Sequence, residues 1–189
     1  MNTQGESCAQ EMKRIYIVLT QPHSVVAKAL QLFSKKPYNH ASISFCDNLS
    51  EMYSFGRKFV HFPMIGGFVR ESCDFGFFNR FYYTECSVYA IDVTEKQYQC
   101  CLQSLETFKQ NPGRYKYNHL GLLTIPLHIP YSMENHFVCS HFVAHLLGES
   151  NIVRFSKDVR LITPWDLANI QGAKGIYKGN LNFFSQKMA

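Results

Sequence analysis

FVCSHFVAHLLGES, residues 137–150, joins an apolar, strand-like approach to an amphipathic helix, with Cys139 at the junction. A cysteine in the first turn of a helix feels the positive end of the macrodipole, and unpaired backbone N–H groups point its way. Both effects favour a thiolate and supply donors for an oxyanion, the two needs of a cysteine nucleophile. Phe142, Val143, Leu146 and Leu147 recur at helical spacing and define the core side, while Gly148 suits the residue just past the helix end. Buried free cysteines are also ordinary core residues, and the chain has seven cysteines, so a nucleophile needs a partner.

His40 supplies one. It opens the strand-like run HASISF (40–45), in which His40, Ser42 and Ser44 share one face while Ala41, Ile43 and Phe45 share the other. An imidazole ionises near neutrality, and a helix packed on that polar face would present a thiol to it. A thiol needs its base close in space, and sequence distance is no obstacle.

The rest of the chain reads as one domain over 15–189 behind a flexible N-terminus at 1–14. IYIVLT (15–20) is a buried strand, and HSVVAKALQLFSKK (23–36) has helical spacing with Ser24 as cap and Pro37 as stop. YNHASISFCDNLSEMYSFGRKF (38–59) is a hairpin that turns at Asp47-Asn48. The phenylalanine-rich stretch 55–83, with a turn signal at Gly66-Gly67, reads as a long loop or lid with short strand pieces. Its rings suit either core cover or an acyl chain. CSVYAIDV (86–93) is a strand, after which Thr94 caps a helix that stops at Asn111-Pro112-Gly113. A short helix in 115–130 ends near Pro126, Thr163-Pro164-Trp165-Asp166 starts another, and GIYKGNL (175–181) is a last strand.

A hydrophobic fraction of 46% supports a real core. The net charge of +5 is spread over scattered lysines and arginines, with no basic tract or module for nucleic acid. The odd cysteine count lacks any C-x-x-C, and the polar start MNTQGESCAQ carries no apolar export signal, so a reduced, cytoplasmic setting is expected. No run is long enough for an integral membrane segment. Cys139, His141 and His145 form C-x-H-x3-H, which raises zinc as an alternative. At about 100° per residue, however, Cys139 points about 200° from His141 and about 240° from His145. The expected site therefore has no metal and no cofactor, and the two histidines form a polar stripe.

NHASIS (39–44), the following MYSFGRK (52–58) and the much later FVCSHFVAHLL together resemble the circularly permuted papain-like proteins. These are relatives of the bacterial NlpC-type cell-wall peptidases and the lecithin-retinol acyltransferase group, in which the histidine precedes the cysteine, as His40 precedes Cys139. The resemblance spans roughly residues 15–180. It implies an α+β fold with a small antiparallel or barrel-like sheet against the nucleophile helix. It also implies a thiol-dependent hydrolase, a peptidase or amidase, acting through an acyl-enzyme on a small peptide, amide or acyl-containing substrate. Lipid-directed acyl transfer by the same fold, and a non-catalytic binding module that kept it, are the alternatives. Cys139 carries over as nucleophile, His40 as base, and the N–H groups at the start of the Cys139 helix as part of an oxyanion hole. Tyr38 is an additional donor candidate or a packing residue. The third residue, which orients the histidine in relatives, falls on EMYSFG (51–56), where Ser54 lies nearest the expected place and Glu51 is the alternative.

Overall fold

The computed structural model describes residues 12–21, 37–58, 65–72 and 83–184. Eight strands form one open sheet: β1 (Met12–Gln21), β2 (His40–Ser44), β3 (Met52–Arg57), β4 (Gly66–Glu71), β5 (Glu85–Thr94), β6 (Lys116–Tyr117), β7 (His136–Phe137) and β8 (Ala173–Asn180). Their order is β7-β6-β4-β3-β2-β1-β5-β8, antiparallel throughout except for the parallel pair β6–β7. The described helices are α1 (Glu95–Gln110), α2 (His119–Thr124), α3 (Cys139–Glu149) and α4 (Pro164–Ala168). The α+β class expected from the sequence is present. The sheet is neither small nor closed, because β7 and β8 remain as edges of an eight-stranded array.

Strand β1 explains the core. Its run Ile15–Thr20 is buried on both faces, as the sequence of β-branched and aliphatic residues requires. Ile15, Ile17 and Leu19 face a large cluster with Ala41, Ile43, Phe55, Phe142 and Leu146. Tyr16 and Val18 face a smaller one with Met52, Val88, Leu181 and Phe184. Helix α1 joins the large cluster through Cys101, Leu105 and Phe108, at i, i+4, i+7. Thr94 caps it reciprocally with Gln97, and Thr163 does the same for α4 with Asp166 behind Pro164.

Several boundaries differ from the sequence reading. Strand β1 starts at Met12, because Met12, Lys13 and Arg14 continue the ladder opposite Thr94, Val93 and Asp92. Gly66-Gly67 begins β4 and makes no turn. A Cβ on Gly66 would stand 2.7 Å from Tyr117 Cβ, and one on Gly67 2.5 Å from the Tyr115 carbonyl, so glycine admits the β6 segment against β4. Helix α3 passes through Gly148 to Glu149, and the left-handed turn falls at Asn151 (φ 51°). The expected helix at 23–36 and most of the phenylalanine-rich stretch lie outside the described residues. Of its rings, Phe55 and Phe68 are core.

Candidate active site

Strand alternation builds the site. In the β1–β2 register Thr20 faces His40 and Val18 faces Ser42, so His40 and Ser42 lie on the sheet face away from Ala41 and Ile43. Glu71, opposite Met52 in the β3–β4 register, comes to the same face. His40 Nε2 sits 3.0 Å and 3.2 Å from the two Glu71 carboxylate oxygens. The Ser42 hydroxyl donates to Glu71 Oε2 at 2.6 Å and stands 3.3 Å from His40 Nε2. The His40 and Glu71 side chains are only 13% and 10% exposed, so this pair is shielded from water.

Cys139 meets the same imidazole. Burial by itself would lower the His40 pKa. The Glu71 carboxylate, a hydrogen bond with the Cys139 side chain and the Glu71 hydrogen bond outweigh it and raise the ring to about 10. The helix does not pack on the polar face of β2, as the sequence suggested. Its apolar residues share the cluster of Ala41 and Ile43, and Cys139, its first residue, reaches the histidine. Val138 precedes α3 without a capping side chain, so no side chain from the cap occupies the first-turn N–H groups beside Cys139.

A tyrosine that the sequence reading did not single out also lies there. Burial and the adjacent Cys139 push the Tyr117 hydroxyl well above the usual phenol range. Tyr117 reaches the site because β6 pairs in parallel with β7, Tyr117 against Phe137, two residues before the cysteine.

The two residues expected to orient His40 are engaged elsewhere. The Ser54 hydroxyl is fully buried and donates to the Ala41 carbonyl at 2.6 Å, tying β3 to β2. Glu51 accepts from the Tyr53 hydroxyl at 2.7 Å and pairs with Arg70. Glu71 holds the position instead. Tyr38 is a packing residue whose hydroxyl bonds Ser87 at 2.6 Å. Comparison with protein-family models, curated proteins and solved structures gives no match.

His141 and His145 have neighbours of their own. The His141 ring stacks on Phe137 with centroids 4.7 Å apart, and His145 packs against Phe137 and Phe108. Burial, then repulsion from His145, lowers the His141 pKa to about 4, and burial lowers that of His145. Both are neutral at pH 7, whereas the unfolded chain takes up their protons below about 6.5. The unfolded state therefore binds more protons between pH 6.5 and 4, and stability falls on acidification across that window. His141→Phe keeps the stack and should remove about 2–3 kcal/mol of the loss between pH 7 and 4, measured by urea unfolding at the two pH values.

Proposed function

We propose that this chain is a cysteine-dependent hydrolase of amide bonds, a peptidase or amidase of the permuted papain-like kind, with Cys139 as nucleophile, His40 as acid and base, and Glu71 as the orienting carboxylate. The observation that carries this reading is the buried imidazole held between a carboxylate and a thiol at a helix start. Glu71 keeps His40 protonated, and an imidazolium beside a cysteine favours the thiolate. The thiolate attacks the carbonyl carbon, and the oxyanion is met by the first-turn N–H groups of α3 and the Tyr117 hydroxyl. His40 passes its proton to the leaving amine as the C–N bond breaks, which leaves a thioester on Cys139. It then takes a proton from water, whose oxygen attacks the thioester and releases the acid and the thiolate.

Competitive alkylation tests the reading. At pH 6, iodoacetamide should modify buried Cys139 before exposed Cys100, although exposure alone predicts the reverse order. Peptide mapping by mass spectrometry reads the order, and His40→Ala should restore the order set by exposure. Modification of Cys100 first in the wild type would overturn the nucleophile assignment.

A further inference from the structure

The segment after Tyr117 is built inside out. Helix α2 buries Gly121, clasped by the Asn118 side chain, which would lie 2.5–2.9 Å from an added Cβ. Two of its three leucines point the other way. Leu120 and Leu123 are 52% and 65% exposed, and Leu127, in the 3₁₀ turn Ile125–Leu127 that continues the helix, is 66% exposed. Their spacing of i, i+3, i+7 makes one outward stripe, and Ile129 and Met133 extend the exposed aliphatic surface along the chain. A surface helix ordinarily turns its leucines to the core.

Cations outnumber acids around the stripe, although Lys109 pairs with Glu106 and Arg114 with Glu134. No acidic residue occurs between Glu106 and Glu134, whereas Lys109, Arg114 and Lys116 do. Lys116 stands at the root of the segment, in the strand that carries Tyr117. Lys58 adds a further cation, reaching the Pro112 carbonyl at 3.3 Å. Protein interfaces draw their energy mainly from Trp, Tyr and Arg anchors, with leucine under-represented among them. An aliphatic stripe with a basic border matches a different partner, a bilayer that offers hydrocarbon beneath anionic headgroups.

We infer that residues 119–133 are a docking surface for an anionic lipid bilayer, with the leucine stripe entering the acyl boundary and Lys116 and Lys58 meeting the headgroups. The inference concerns attachment and stands whether or not Cys139 is a nucleophile. Strand β6, which carries Tyr117 toward Cys139, leads directly into α2, so the docking surface follows the candidate site closely in the chain.

The test is co-sedimentation of the full chain, in its Cys139→Ala form, with phosphatidylcholine vesicles and with vesicles containing one quarter phosphatidylserine. The expected result is binding to the anionic vesicles that weakens with salt. Leu123→Glu with Leu127→Glu should lower the partition constant at least tenfold, and Lys116→Glu about fivefold or more. Both leucines are exposed, so thermal unfolding of the double variant should match the parent. Failure of the parent to bind anionic vesicles would overturn the inference, as would undiminished binding by the double variant. A dimer in solution that the double variant dissolves, with no vesicle binding, would also overturn it by assigning the stripe to a second copy of the chain.

Discussion

Glu71→Gln is expected to discharge the site. Without the carboxylate, only Cys139 opposes burial at the His40 ring, and its pKa falls from about 10 in the native protein. The ¹⁵N shifts of labelled histidine report that fall directly. Alkylation of Cys139 at pH 6 should fall roughly 100-fold, because the thiolate loses the cation that favours it. Stability should fall as well. A group whose pKa is raised on folding stabilises fully below its unfolded value, near 6.5, and that contribution is lost as pH rises through about 10. Removing one member of a buried pair costs roughly 3–5 kcal/mol. The loss should therefore be largest below pH 6.5 and shrink toward pH 10. A native His40 that titrates near 6.5, or a Glu71→Gln variant with unchanged ring shifts, would contradict the charged pair.

Why Glu71 escaped the sequence reading is physical. It ends a six-residue strand that begins with two glycines, and glycine pairs ordinarily signal a turn. Here the glycines answer to a tertiary fact, the close approach of Tyr115 and Tyr117, which local sequence does not record. Alternation within GGFVRE still held a clue, since Val69 and Glu71 share one face and Phe68 and Arg70 the other. A carboxylate on the last residue of a half-buried strand is unusual enough to be followed.

The elements that were legible are those with local causes. Thr94 with Gln97 and Thr163 with Asp166 are self-contained caps, and the aliphatic run of β1 has no other way to satisfy both faces. The His40 strand and the Cys139 helix follow from their apolar period. Their meeting depends on eight strands in a particular order, which rested on resemblance alone. The outward leucines of α2 ran against periodicity reasoning, because apolar spacing predicts a core face and cannot tell which side the fold will cover.

Phe55 links the core to the site, and its removal is expected to have the largest effect on folding. The ring is fully buried on β3, with centroids 5.2 Å from both Phe142 and Phe137 and 6.0 Å from both Phe68 and Phe108. It therefore fills the space between the sheet, α1, α3 and the strand that leads into Cys139. Phe55→Ala leaves a cavity that five elements would have to shift to close, and should destabilise by about 3–5 kcal/mol in urea unfolding. Phe55→Leu keeps most of the volume and should cost less than about 1.5 kcal/mol. The same pair of variants separates packing from chemistry. Phe142 sits one helical turn beyond Cys139, so an emptied Phe55 site frees α3 to move relative to β2, and Cys139 alkylation at pH 6 should slow in the alanine variant while it is still folded. The leucine variant should react like the parent. Equal reactivity of all three proteins would mean that the thiol and imidazole are held together by Glu71 and the sheet alone, without help from the aromatic cluster beneath them.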